Sequence, residues 1–169
     1  MRTLLLAVLL SVAGALSLQA QKFGYVNSDA LLSEMDEMKA AEADLVAFRD
    51  QQQKLFQTKI ESFQAEVQKF QEDQQAGNLT PKAAQEIQTR LAAKQEELAA
   101  EEQKITIDLQ KRRQEKIQPI FDKVNKAIET VAKADALTYV FDGTQGGVIL
   151  YADESADITS KVKTTLATM

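Results

Sequence analysis

Phe56-Gln57-Thr58-Lys59-Ile60-Glu61-Ser62-Phe63-Gln64-Ala65-Glu66-Val67-Gln68-Lys69-Phe70 decides the fold of this chain. Its apolar residues, Phe56, Ile60, Phe63, Val67 and Phe70, are separated by alternating steps of four and three. That spacing keeps one stripe of side chains on a single helical face and marks a heptad seam. Around it, residues 28–135 hold one glycine, Gly77, and two prolines, and are rich in Ala, Glu, Gln, Lys and Leu. All five are strong helix formers. Beyond the stripe, Ala84, Ile87, Leu91, Leu98, Ile105 and Leu109 continue the mixed spacing, with Lys94 and Arg112 at seam positions.

The helical stretch is interrupted at the tip, residues 76–81, by Ala76-Gly77-Asn78-Leu79-Thr80-Pro81. Gly77 and Asn78 suit a helix end, Thr80 an N-cap, and Pro81 a first helical position. The pattern predicts helices over residues ~28–76 and ~81–134, each roughly 70–80 Å long and folded back antiparallel over a short turn. Facing residues then have numbers totalling about 157. Phe70 faces Ile87, Ile60 nears Leu98, and Phe48 faces Leu109, but Phe56 falls opposite Glu101 and Glu102, and Leu45 opposite Arg112 and Arg113. The expected seam is patchy, and a patchy seam bends. Pro119, inside the second helix, adds a hinge because it removes a ladder hydrogen bond.

Outside the helical stretch the residues turn β-like. Lys22–Asn27, Leu137–Asp142 and Val148–Tyr151 read as three short strands, the last two joined by a Gly-rich turn over Gly143–Gly147. A closing helix is expected over ~157–167, with Ile158, Val162 and Leu166 on one face and Asp157 as its cap. The strands are apolar on both faces: Phe23 and Tyr25 oppose Val26, and Tyr139 and Phe141 oppose Val140. So few strands have bare edges and too little core to stand alone. Sharing the sheet between copies is the economical solution, with Phe23, Tyr25, Tyr139, Phe141, Val148 and Leu150 as the oligomer body. The fold class expected is mainly α with a small β body, a long antiparallel coiled-coil hairpin between terminal β-strands.

At the N-terminus a short basic start, Met1-Arg2-Thr3, precedes the apolar run Leu4–Leu10 and a small-residue end at Ala20. This is the layout of a cleavable secretory signal peptide over residues 1–20, too short in its apolar core for a bilayer span. Residues 21–169 then form one domain, with body segments 21–30 and 135–169 and the hairpin over 31–134. The net charge is −5, and removing the leader takes away one arginine and no acid. An acidic chain argues against nucleic acid or anionic lipid as the main partner, and leaves at most peripheral membrane contact.

The sequence has no cysteine and no histidine. Disulfides, lipidation, thiol and imidazole catalysis and most zinc sites are excluded. Asp142-Gly143 and Asp153-Glu154 read as a turn and a pre-helical loop, since the spacing of a calcium loop is absent. Gly143–Gly147 lacks the ending of a phosphate loop. No cofactor or metal is expected, and no enzyme. Lys111, Arg112, Arg113 and Lys116 form a basic cluster, read as a solvated helix face, with a contact for acidic client segments or lipopolysaccharide as the sharper alternative. The stripe Phe56, Phe63 and Phe70, with Leu91 across the turn, reads as hairpin core and, when the hairpin splays, as apolar surface for client chains.

Lys22-Phe23-Gly24-Tyr25-Val26-Asn27, leading to Leu31 and Leu32, resembles the first strand and helix entry of the Skp/OmpH family. Tyr139–Asp142, Val148–Asp153 and Asp157–Val162 resemble that family's C-terminal signature. The resemblance implies a homotrimeric periplasmic holdase. Strands from three chains would build a barrel-like β body, and hairpins would hang from it as tentacles that hold unfolded outer-membrane proteins without ATP. The acidic charge departs from the strongly basic character of the best-known Skp. The rival reading is a structural or adaptor coiled coil of the cell envelope with one defined partner.

Overall fold

The computed structural model describes residues 21–144 and 149–169. The signal peptide expected over 1–20 and the body residue Val148 lie outside them. In chain order the elements are β1 (Phe23–Val26), α1 (Ser28–Glu34), α2 (Asp36–Gln75), α3 (Pro81–Ala134), β2 (Tyr139–Asp142), a 3-10 turn (Glu154–Ala156) and α4 (Thr159–Leu166). Two compact units result: one covers Glu34–Phe121, and the other joins the N-terminal segment ending at Ser33 to Asp122–Met169.

The first unit is the hairpin. Lys59 pairs with Glu101, Glu66 with Lys94, and Asp44 with Arg112. As numbers rise along α2 they fall along α3, so the helices are antiparallel in the register expected from the turn. The turn is built as the sequence predicts. At the end of α2, Asn78 N–H donates to Asp73 C=O at 3.0 Å and Gly77 N–H to Gln74 C=O at 3.2 Å, with Gly77 at φ 69°. This is a Schellman closure around a left-handed residue, a conformation glycine adopts without a Cβ penalty. Thr80 Oγ1 accepts from Ala83 N–H at 3.2 Å and caps α3.

One expected helix is two. The stretch expected to run from residue 28 breaks at Met35, which is extended (ψ 124°), and its carbonyl accepts from Met38 and Lys39. Asp36 and Glu37 then occupy the first turn of α2, where acidic side chains complement the helix dipole.

The second unit is the body. β1 and β2 pair in parallel, Phe23 with Tyr139 through Val26 with Asp142. Parallel pairing requires a long crossover, and α1, α2 and α3 supply it. The other edge of β1 is met at one point, where Ile158 N–H donates to Tyr25 C=O at 2.9 Å. Gly24 is packed so tightly that a Cβ there would come within 2.8 Å of Leu137 Cδ1. The body core is Val26, Leu31, Val124, Ala127, Val131, Ile158, Val162 and Leu166, all buried. The spacing of Val124, Ala127 and Val131 on α3, and of Ile158, Val162 and Leu166 at α4, is the helical one-face pattern.

Side-chain hydrogen bonds lock this core. Asn27 Oδ1 accepts from Ala30 N–H at 2.9 Å and caps α1, while Thr159 Oγ1 accepts from Asn27 N–H at 3.0 Å. Asp142, at the end of β2, accepts from Ser28 Oγ at 2.6 Å and from Thr144 N–H at 3.1 Å. Partial burial pushes the Asp142 carboxyl up, but the bonds from Ser28 and Thr144 outweigh it and leave the group below its ordinary value. Asp157 accepts from Thr159 N–H at 2.8 Å, one residue earlier than a helix N-cap.

The expected third strand is absent from the single chain over its described part. Ile149–Tyr151 is irregular, Leu150 is 100% exposed and Tyr151 86%. Among the described residues no ladder partner satisfies its backbone, and an unpaired strand has no reason to stay extended.

Candidate functional site

Two apolar surfaces stand out, one in each unit. In the hairpin, Phe56, Ile60, Phe63, Val67 and Phe70 are all half-buried, as are Ile87, Leu98, Ile105 and Leu109. Leu91, at 8% exposure, is the one fully buried side chain between Ala41 and Ile120. A two-helix seam has no third element to cover its flanks, so each side chain keeps one side wet.

Charged residues interleave with that seam. Arg112 donates from Nε and an η nitrogen to the two carboxylate oxygens of Asp44 at 2.9 and 2.8 Å, a bidentate pair. Its guanidinium carbon lies 4.5 Å over the Phe48 ring, and Lys116 approaches Asp44 at 3.7 Å. The hydrogen bond from Arg112 holds the Asp44 carboxyl below the usual carboxylate range. Lys94 does the same to Glu66. Lys94 and Arg112, read from the sequence as seam positions, are therefore ion-paired across the hairpin.

The basic cluster separates into different roles. Arg112 and Lys116 face Asp44, and Lys111 pairs locally with Glu115 at 3.9 Å. Arg113 instead lines an open groove of about 480 Å³ with Leu45, Val46, Arg49, Leu109 and Ile117. Glu42 and Gln110 complete its lining. Val46 is 48% exposed. Sequence reasoning placed Leu45 opposite Arg113 but did not recognise the groove. Exposed Leu55, Ile107 and Phe121 were likewise not singled out, because single apolar residues on a helix flank carry no periodic signal.

In the body, the rings of Phe23, Tyr139 and Phe141 cluster with centroids 6.0–6.3 Å apart, Tyr139 stacked on each of the other two, and all three are exposed. They are neighbours because parallel register puts Phe23 beside Tyr139 and alternation puts Phe141 on the same face. Tyr25 is half-buried, and its hydroxyl pKa is raised by desolvation and by Asp157, Glu154 and Asp153. Of the body residues expected from sequence, Phe23, Tyr139 and Phe141 come together, Tyr25 borders a groove with Phe23, Phe141 and Leu150, and Leu150 stands free in water. Pro119 lies inside α3, where it offers no N–H to the ladder.

Among the described residues no group of acidic side chains is placed to hold a metal ion, and no helix is long and apolar enough to cross a membrane. A short parallel sheet whose strands precede and follow a long helical hairpin in the sequence, with apolar surface left open in each unit, defines a coiled-coil hairpin fold with terminal strands. A family model described as outer membrane protein (OmpH-like) matches residues 22–166, and the chain belongs to that family. A comparison with curated proteins finds no match. Among solved structures, the chain is similar to a Caulobacter crescentus protein described as an outer membrane chaperone (OmpH-like). The two share 17% identity over 88% of this chain and 86% of that one, with a TM-score of 0.74.

Proposed function

We propose that this protein is a periplasmic, ATP-independent holdase that binds unfolded outer-membrane proteins and keeps them from aggregating, without enzymatic activity. Membership in the OmpH-like family supports a chaperone role. The observation that carries the reading is the half-covered seam: along most of the hairpin, apolar side chains remain partly in water. Such a surface gains by contact with any apolar segment, without a shaped pocket. Phe56, Phe63, Phe70 and Leu91 serve as client contacts when the hairpin opens, with Pro119 as a soft point of α3. Burying one Phe against a client contributes roughly 1.5–3 kcal/mol, whereas an exposed ion pair adds under about 1 kcal/mol.

The same reading includes cleavage of the leader after Ala20 and assembly into a homotrimer through the aromatic face of β1 and β2. Three adjacent exposed rings and the unpaired outer edge of β2 among the described residues support a partner copy there. Purified mature chain is expected to suppress aggregation of a diluted, urea-unfolded outer-membrane protein with no nucleotide present. Phe56→Ser is expected to weaken suppression while the oligomer stays intact. Loss of suppression on raising salt, together with an indifferent Phe56→Ser variant, would instead make charge the basis of capture.

A further inference from the structure

We propose that the groove between Val46 and Ile117 is a docking site for extended client segments in which apolar residues flank a carboxylate. This rests on the holdase reading and narrows it to a place and a chemistry. Leu45 and Val46 on α2 and Leu109 and Ile117 on α3 give the groove an aliphatic floor. Its volume, about 480 Å³, falls within the range of specific small-ligand sites and holds a few side chains. Val46 is open to water with the hairpin closed, so docking here needs no splaying of the seam.

The charges on its rim set the occupant. Arg113 has no ion-pair or hydrogen-bond partner among the described residues, unlike Arg112 and Lys116 beside it, which share Asp44. Arg49 is engaged only by its sequence neighbour Asp50, at 2.9 Å. Glu42 is the single acid on the lining, and with Arg49 held by Asp50 the cation left open to an occupant is Arg113. A planar guanidinium beside aliphatic surface binds a carboxylate through two parallel N–H donors while its stem packs on apolar groups. Two other hairpin grooves lack this combination. The one lined by Phe63 and Leu98 has its lysines, Lys59 and Lys94, already paired with Glu101 and Glu66. The one around Ile105 carries Glu97, Glu101 and Asp108.

The test uses the full mature chain and two labelled unstructured peptides, each with leucines on both sides of one central residue, aspartate in one and asparagine in the other. Fluorescence anisotropy is expected to show the aspartate peptide bound roughly twofold to tenfold more tightly than its twin. Arg113→Gln is expected to erase that preference and leave the asparagine peptide unaffected. Val46→Glu is expected to weaken both peptides, and Ile107→Glu, on an exposed site outside the groove, neither. Equal binding of the two peptides by the unaltered protein overturns the proposal. So does an Ile107→Glu defect equal to that of Val46→Glu. Laurate that binds in an Arg113-dependent way while the peptides are not discriminated overturns it too, and gives the groove to lipid. Aggregation assays with a whole outer-membrane protein separate the two levels: suppression without peptide discrimination removes the groove and leaves the holdase, and discrimination without suppression does the reverse.

Discussion

Between Glu34 and Phe121 the apolar side chains are mostly half-covered, whereas around β1, β2 and α4 a small set is fully withdrawn from water. The hairpin spreads its apolar residues along two helices and closes the gaps with ion pairs such as Asp44–Arg112 and Glu66–Lys94. The body concentrates them, with Ala127 and Val162 at 0% exposure, and leaves its aromatic rings on the opposite face. A surface meant to meet varied partners gains from the first arrangement; a platform that must keep one geometry needs the second. Four expectations test that contrast.

The largest effect is expected in the body core. Val162→Asp places an unpaired charge where no water reaches and is expected to cost about 3 kcal/mol or more. Ile60→Asp, at a half-buried seam position, is expected to cost clearly less. Urea titration followed by circular dichroism measures both, and equal losses would erase the distinction between the units. Next is the aromatic face: Tyr139→Asp is expected to dissociate the oligomer while the monomer stays helical, because the ring is exposed in the single chain. Light scattering with circular dichroism reports the two separately. A folded wild-type monomer at micromolar concentration would remove the basis for a shared sheet.

The third expectation concerns acid. Asp44 and Glu66 have pKa values lowered in the folded hairpin by hydrogen bonds from Arg112 and Lys94, with Lys116 and Arg90 adding to the field. A lowered folded-state pKa means stabilisation that is complete above the unfolded carboxylate value, near pH 4, and is lost as pH falls through the folded value. The melting temperature is therefore expected to fall on acidification below about pH 4, and to fall less in an Asp44→Asn, Glu66→Gln variant. The same slope in both proteins would assign the acid response to the body carboxylates Glu129, Asp142 and Asp153, which are also lowered.

The smallest effects compare two helix ends of the same design. α2 closes on Gly77 and α3 on Ala136, both left-handed, at φ 69° and 53°. At the second, Leu137 N–H donates to Ala132 C=O at 2.9 Å, completing the same Schellman pattern without glycine. Ala136→Gly is expected to stabilise the body by about 0.5–1 kcal/mol and Gly77→Ala to destabilise the hairpin by about 1 kcal/mol. Thermal melts check both.

These two ends also show what was legible beforehand. Gly77, Asn78, Thr80 and Pro81 announce a turn by residue type, and from the turn the hairpin register followed closely enough to foresee Leu45 beside Arg113. Ala136 announces nothing, because its conformation is imposed by Asp135 and Leu137 being held in place: Asp135 accepts from Lys161 at 2.6 Å and Leu137 sits over Gly24. The break at Met35 was missed because propensity favours helix on both sides of it, although Asp36 and Glu37 signal a new start. The aromatic residues of the body were identifiable from alternation, while the failure of Ile149–Tyr151 to pair was not, since pairing depends on a partner that one chain does not supply. The groove at Val46 was invisible to periodicity, which records what faces the seam and not what lies along its flank.

The pairing of Phe23 with Tyr139 carries a kinetic consequence. β1 and its partner lie on the order of a hundred residues apart in the sequence, and the contacts of β1 with the start of α4 are more distant still. Local contacts let the hairpin form early and fast, but the sheet must wait for the closing of a long loop. Until then Phe23 and Val26 stand unpaired, so during its own biogenesis the body presents the kind of unfinished apolar surface that a holdase is built to shield. Loss of only Val162 to Met169 should leave that interval permanent, with a preformed hairpin attached to a body that never closes.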